Sequence, residues 1–390
     1  MTGTNVPPVL AQAKDDSGGL MVGTEHEYSI NDPNFKPLAV NDQLIKALTG
    51  EFHIEAPFGG ICLGKELQKH VLEMRTIGPH TDLGALEREM TTGMAHVNRH
   101  LGPEFKFLGL GMQPLLKLEQ TAYWDHDEKE YFDEFHRVFG LKKHGWLNIQ
   151  ALQVNFPYGN EADLVKKFNR VRSIIPYLVA VTAASPFVEG EKTGHMDNRI
   201  IFYRENQKKI PLICNEIIPE KLNSQKDYED IQDRIYMELR KEGAELLCSE
   251  WVNSRGVIIR FSRRCLEIKA MDEQECIHSD MAVTAFIRAL LRVKDLPLED
   301  DRVALLELNQ AALDKGTAAF RPELQKLYDI AFEHAYKDDK PYLPLIKRRI
   351  DEGSLAELMA GRAHNRDELM TVLDEMAMCL RDNKPYVNPT

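Results

Sequence analysis

The sequence predicts an α+β fold, an antiparallel sheet with helices on its apolar side. Four stretches alternate between apolar and polar residues, helix-period stretches fall between and after them, and from about Leu296 onward the pattern is helical with no convincing strand. Successive strand residues point to opposite faces, so each alternating stretch carries one apolar and one polar face. One such strand is an ordinary half-solvated strand. Four predict a sheet whose polar side forms a floor.

Residues 1–19 read as a flexible lead-in ending in Asp15-Asp-Ser-Gly-Gly19. Leu20–Ile30 is the first strand, with Glu25 and Glu27 on one face. Asn31–Pro37 is a turn, and Phe52–Lys65, with Pro57, Gly59, Gly60 and Gly64, reads as an irregular loop. His70–Thr76 sets Val71, Glu73 and Arg75 opposite Leu72 and Met74. Thr81-Asp82 caps a helix to about Leu101, and Phe107–Met112 is a short buried strand. Tyr123–Gly145 reads as a surface lid or loop with a helical piece; Trp124, His126 and His144 within it and Trp146 just after it are read as a small aromatic surface cluster, the alternative being a lining for the lid. In Asn148–Phe156, Gln153 and Asn155 oppose Leu152, Val154 and Phe156. Glu161–Ala184 is a long helix kinked at Pro176, Gly190–Lys209 a loop near the site, and Tyr228–Gly243 an amphipathic helix. Cys265–Ala270 sets Glu267 and Lys269 opposite Leu266, Ile268 and Ala270, and Ser279-Asp280 starts a helix to Val293. The chain divides into the lead-in, a catalytic unit over 20–295 and a helical extension over 296–390 packed on it.

With 390 residues, 43% hydrophobic and 28% charged, the chain can bury a large core as one domain or two. A net charge of −12, from 49 basic and 61 acidic residues, argues against general nucleic-acid binding, which shows a basic patch or stripe. It leaves room for an anionic nucleotide arriving with its own metal. The six scattered cysteines form no CxxC pair and read as free buried thiols in a reducing cytoplasm. The longest apolar run, Ile174–Val188, falls short of the ~20 residues of a membrane span.

The polar faces hold the chemistry. Glu25 and Glu27 stand roughly 7 Å apart on one strand face and repel each other. An isolated Glu-x-Glu is most often a solvated face; the alternative is a cation between them. Glu66 and Glu73 reach one site only if the chain bends between them. Glu267 beside Lys269 is by itself an ordinary ion pair. A floor of Glu with Arg, Lys, Gln and Asn suits hard cations and the phosphates they carry. Competing motifs are weaker: His96 and His100 lack a third zinc ligand, Gly109-Leu-Gly111 lacks the rest of a dinucleotide fingerprint, and there is no P-loop.

Gly23-Thr-Glu-His-Glu27, Glu66, Leu72-Glu73, Leu108-Gly-Leu-Gly-Met-Gln-Pro114, Gln150-Ala-Leu-Gln-Val-Asn155, Glu161–Phe168, Ala183–Phe187 and Cys265–Asp272 follow one another in an order and spacing that resemble the glutamate–cysteine ligase family. The likeness is to the branch with plant-type enzymes and bacterial carboxylate–amine ligases, and it covers about residues 20–295. It implies a glutamine-synthetase-like fold, with a curved antiparallel sheet and the site on its concave polar face. It implies ATP as co-substrate and two or three Mg²⁺ ions, one held by Glu27, Glu66 and Glu73 and another by Glu25, Gln153 and Glu267. Lys269 would face the transferred phosphoryl group, Arg260 the nucleotide phosphates, and Arg199 a substrate carboxylate or phosphate; Arg75 is a further substrate-binding candidate. Where several members carry His, this chain has Gln153, and where many carry Arg it has Lys269, which keeps the charge but not the bidentate fork. The implied reaction is ATP-dependent amide formation through an acyl phosphate, most simply from glutamate and cysteine. A different amine acceptor, or a relative that binds ATP or amino acids without turnover, are the alternatives. Partners would be small molecules, with no nucleic acid and no membrane, and a homo-oligomer is left open.

Overall fold

The computed structural model describes residues 20–387; the predicted lead-in over 1–19 lies outside them. The strands are β1 (Gly23–Asn31), β2 (Glu55–Phe58), β3 (Ile61–Lys65), β4 (Val71–Thr76), β5 (Lys106–Leu108), β6 (Ala151–Pro157), β7 (Phe187–Val188), β8 (Glu191–Lys192), β9 (Val257–Arg260) and β10 (Cys265–Asp272). Eight of them form one sheet in the order β2-β3-β4-β1-β6-β10-β9, with β5 pairing β1 off this path, and β7 and β8 form a separate hairpin. Every pairing in the large sheet is antiparallel.

The alternation fixes the register. Tyr28, Ile30, Leu72, Met74, Leu152, Val154, Phe156, Leu266 and Ile268 are all fully buried on one face. Each such side chain contributes roughly 1.5–3 kcal/mol. A slip of one residue would turn the glutamates of the opposite face into that core.

The helices are α1 (Asn41–Thr49), α2 (Leu83–Leu101), α3 (Lys129–Phe139), α4 (His144–Leu147), α5 (Glu161–Thr182), α6 (Asn198–Tyr203), α7 (Gln225–Lys241), α8 (Ile277–Arg292), α9 (Arg302–Lys315), α10 (Arg321–His334), α11 (Leu343–Glu352), α12 (Leu355–Arg362) and α13 (Arg366–Asp382). Asn160 caps α5, accepting from the Asp163 N–H at 3.0 Å, and the helix runs through Pro176. On the apolar side α2 packs on β4 and α5 on β10, with α8 against both helices. The helices after residue 296 add to this layer: α9 lies on α5, α10 and α11 on α8, and α13 against β5. No helix among the described residues is long and apolar enough to cross a membrane.

The structure corrects three local expectations. Phe52–Lys65 is the β2–β3 hairpin rather than an irregular loop. Its glycines serve the hairpin: Gly59 and Gly60 turn it at φ 59° and 94°. A Cβ on Gly64 would stand 2.7 Å from Glu73 Oε1. Trp124, within Tyr123–Gly145, and Trp146, just after it, are buried rather than set on the surface, and Trp146 packs on Phe135 at 5.3 Å between ring centres. Gly190–Lys209 contains α6, capped by Asp197, which accepts from the Ile200 N–H at 2.8 Å.

Candidate active site

β1 runs through the middle of the sheet, and its register lines the carboxylates up. Glu27 lies opposite Glu73 of β4, and Glu25 lies between Arg75 of β4 and Gln153 of β6. Glu66 follows β3 directly; the chain turns back through residues 66–70, and Glu66 hydrogen-bonds Glu73. The predicted bend therefore exists, and Glu27, Glu66 and Glu73 come together. Burial pushes the Glu27 carboxyl up to about 8, with the charge of Glu73 adding to it. Burial and the Glu27 charge push Glu66 to about 8 as well. Glu73 is raised well above the usual range by burial and by Glu25 and Glu66. Glu27 is buried and Glu66 and Glu73 are half-buried, so three acids largely withdrawn from water crowd one another with little positive charge close by. Their hard oxygen donors fit a divalent cation.

Glu27 is held firmly. Its Oε2 accepts from the Ala151 N–H and its Oε1 from Gln153 Nε2, both at 2.8 Å. β6 pairs β1 only to Glu25, and β5 takes over at Ser29, so the ladder is interrupted at Glu27. The Glu27 N–H donates instead to Glu273 Oε2 at 3.0 Å. Glu273 belongs to a buried cluster under the sheet, with His26 Nδ1 3.3 Å from Glu273 and 3.2 Å from Asp280 of α8. Although burial opposes it, these two acids raise His26 to about 10. Sequence reading missed Glu273. The available signal was His26, whose even position puts an imidazole on the apolar face, where it needs a partner.

The neighbouring acids are compensated. Glu25 Oε1 accepts from Asn155 Nδ2 at 3.1 Å and Arg263 Nη1 at 2.9 Å. Glu267 accepts from Arg260 Nη1 at 2.5 Å and Lys269 Nζ at 2.8 Å. Burial alone would raise Glu267, but the Lys269 and Arg260 charges hold it at about 2. Glu25, Gln153 and Glu267 thus each have other hydrogen-bond partners, and Gln153 turns its amide nitrogen to Glu27. Arg75 donates to Glu55 at 2.5 Å and lies 4.0 Å from Glu73.

Arg199, on α6, donates its Nε to Asp272 Oδ1 at 2.6 Å and Nη1 to the Lys269 carbonyl at 3.3 Å. A register shift in β10 after Ile268 places Asp272 opposite Ala151. Arg199 Nη2 is buried with no partner, and its charge acts on Glu27. It offers a free donor beside the acids. Tyr203, at the end of α6, lies beside Lys269 and was not anticipated. All six cysteines are free; burial pushes Cys62 up to about 11 and Cys265 to about 12, which suits inert thiols. A separate group, Asp42, Asp125 and His126, already surrounds the Lys69 ammonium, 2.7 Å from Asp42 and 3.0 Å from Asp125.

Comparison with known proteins adds the family context. Residues 21–373 match the model of glutamate-cysteine ligase family 2. An uncharacterized protein of Archaeoglobus fulgidus is 45% identical over 371 residues, covering 94% of this chain and 100% of that one. A putative glutamate–cysteine ligase of Rubrobacter xylanophilus is 26% identical over 47% of this chain and 44% of its own length. The chloroplastic glutamate–cysteine ligase of Arabidopsis thaliana is 26% identical over 48% of this chain and 38% of its own. The match thus spans less than half of either ligase. Among solved structures, a glutamate–cysteine ligase of Francisella tularensis in complex with AMP superposes with a TM-score of 0.65 over 95% of this chain and 90% of that one, at 12% identity. A bifunctional glutathione synthetase of Pasteurella multocida gives 0.64 over 94% and 52%, at 14% identity. These likenesses establish a shared fold.

Proposed function

The chain belongs to glutamate-cysteine ligase family 2, and from that premise we propose that it is an ATP-dependent carboxylate–amine ligase joining glutamate to cysteine in the cytoplasm. The observation that carries the reading is the trio of buried Glu27 and half-buried Glu66 and Glu73, brought together on the polar face of the sheet with all three carboxyls pushed up. Glu27, Glu66 and Glu73 would hold one Mg²⁺ ion, and Glu25, Gln153 and Glu267 a second. When bound, these ions supply positive charge against the polyphosphate of ATP.

The chain's own groups do the rest. Arg199 is held by Asp272 and its buried Nη2 has no partner, which supports a role for it in orienting a substrate carboxylate. Lys269 and Arg260 bring positive charge to the phosphoryl group in flight. The γ-phosphorus–oxygen bond to ADP breaks as the donor carboxylate oxygen bonds to phosphorus, giving an acyl phosphate. The amine then attacks the acyl carbon, phosphate leaves with the bonding electrons, and the amine loses a proton. Such a transfer needs positioning and charge neutralisation rather than a protein nucleophile.

A second reading, in which another amine is the acceptor, is favoured by the partial match to the named ligases. One assay tests both. The protein is incubated with ATP, Mg²⁺, glutamate and a panel of amines, and ADP release is followed with mass detection of the amide. γ-Glutamylcysteine as the main product supports the proposal. Another γ-glutamyl amide moves it to the second reading, and nucleotide binding without turnover for any acceptor overturns both.

A further inference from the structure

Between α6 and α7 the chain takes a conformation that its residues resist. Asn215, Glu216 and Ile217 have φ of 47°, 58° and 60° in succession. Left-handed backbone is uncommon for any residue with a Cβ, and for a buried, β-branched isoleucine it is an outlier. Such a conformation persists only where its surroundings over-determine it, and such places cluster at functional sites. Here arginines hold it. Arg302, the first residue of α9, donates Nη2 to the Asn215 carbonyl at 2.8 Å and Nε to the Ile218 carbonyl at 3.0 Å. Arg204 pairs with Glu216 at 3.1 Å, and Arg172 donates to the Pro219 carbonyl at 2.7 Å. Arg302 is fixed in turn: Asp301 caps α9, accepting from the Val303 and Ala304 N–H groups at 2.9 and 3.0 Å. The helical layer after residue 296 thus grips both ends of the turn.

What the turn supports is Lys269. The Ile217 carbonyl accepts from the Gly256 N–H at 2.7 Å, and the Gly256 carbonyl accepts from the Lys269 N–H at 3.0 Å. Only glycine fits between them: a Cβ on Gly256 would stand 2.9 Å from the Ile217 oxygen and 3.1 Å from Ala270 Cβ. Lys269 needs this support. β10 pairs with β6 up to Ile268 and again from Met271, so Lys269 and Ala270 form a bulge opposite Gln153. β9 pairs with β10 no further than Ile268. A bulged residue loses its place in the ladder, and bulges beside active sites re-aim side chains. The bulged backbone is pinned instead by Gly256 at its N–H and by Arg199 Nη1 at its carbonyl, the latter at 3.3 Å.

We infer that the turn Asn215–Ile217 is a strut that sets the aim of Lys269, and that Arg302 is a positioning residue acting through it. The inference rests on the ligase reading, in which the Lys269 ammonium meets the phosphoryl group in flight. A charge that serves a transition state is worth most when it is held in place beforehand. The helical extension, through one arginine, therefore contributes to turnover and not to stability alone.

Arg302→Met in the full chain tests this. The expected result is a kcat lower by about tenfold or more, the scale of a displaced catalytic group, with KM for ATP and glutamate within about twofold. Hydrogen exchange at the Lys269 amide should quicken about tenfold while that of α2 holds steady. Arg302→Lys, which can still donate to one of the two carbonyls, recovers part of both. Gly256→Ala breaks the same strut one link further on, so the double variant should lose no more kcat than the worse single one. Leu324→Ala, a buried change in α10, controls for lost stability and should keep kcat within about twofold. Unchanged Lys269 exchange in Arg302→Met overturns the strut. A loss carried by KM, faster exchange with unchanged kcat, additive losses in the double variant, or an equal kcat loss in Leu324→Ala overturns the positioning role. If the unaltered protein turns over no acceptor, the ligase reading itself fails, while the exchange measurement still decides the strut.

Discussion

Glu27, Glu66 and Glu73 share a sheet face with Glu25 and Glu267, yet the two groups are built in opposite ways. The first three crowd one another, Glu27 buried and Glu66 and Glu73 half-buried, and Glu27 and Glu66 are pushed up to about 8. The other two are answered by arginine and lysine, and Glu267 is held at about 2. The same residue type, a few ångströms away, is left needing a cation in one place and is supplied with one in the other. On the proposed reading, side chains supply the positive charge at one group and bound cations would supply it at the other. A buried charge without a partner costs several kcal/mol, so the bare trio is a cost of folding that protons offset at low pH and a bound cation would offset at high pH.

The sharpest way to break this comparison is to neutralise one acid from each group. Glu73→Gln should lower turnover at least about a hundredfold, the scale of losing a transition-state charge contact. It should also raise the melting temperature of the metal-free protein by a few degrees at neutral pH, because folding no longer has to protonate a carboxylate that is ionised in the unfolded chain. Glu267→Gln should also lose turnover, but it should destabilise the metal-free protein by about 3 kcal/mol, since Arg260 and Lys269 lose their buried partner. Thermal melts with and without Mg²⁺ separate the two. Equal destabilisation by both variants would show that the trio is not uncompensated.

A smaller effect follows from pH. Glu27 and Glu66 have folded-state values near 8, raised from 4.5. The native state then binds more protons than the unfolded one between those limits, so the metal-free protein is most stable below about pH 4.5 from this source and loses that stability as pH rises through 8. A divalent ion displaces the protons and removes the dependence. The expected result is a melting temperature that falls by several degrees from pH 5.5 to 8.5 without Mg²⁺ and falls much less with it. Parallel curves would mean that no ion binds at the trio.

Much of this contrast could be read from the sequence, and the rest could not, for physical reasons. Period-two alternation placed Glu25, Glu27, Glu73, Gln153 and Glu267 on one face, because alternation is a property of each strand alone. It could not say which strands are neighbours, so the partners of Glu25 and the Arg260 that joins Lys269 on Glu267 stayed open. Arg263 sits in a turn and has no periodic signal. Gly59, Gly60 and Gly64 read as a loop because glycine marks hairpin turns and close strand approach as readily as irregular chain. Glu273 acts from beyond a strand end, where a register shift has already changed the parity that alternation relies on.

Arg75 belongs to neither group, and it allows the finest test. It is the register partner of Glu25. Its guanidinium is held by Glu55 at 2.5 Å, and its Nε lies 4.0 Å from Glu73. Glu55 is 56% exposed, so removing it should change stability by less than about 0.5 kcal/mol. The consequence lies elsewhere. In Glu55→Ala the guanidinium loses its anchor and is drawn toward Glu73, where it acts as a fixed cation next to the trio. Mg²⁺ affinity should then fall about two- to threefold, the scale of one partly screened charge at the rim of a site. The pH dependence of the metal-free melt should flatten slightly in the same variant. If Mg²⁺ affinity holds steady, Arg75 is a bystander, and the boundary between the bare and compensated acids is set by the strand register alone. If it falls, one exposed glutamate keeps a cation away from a site that must stay open for another.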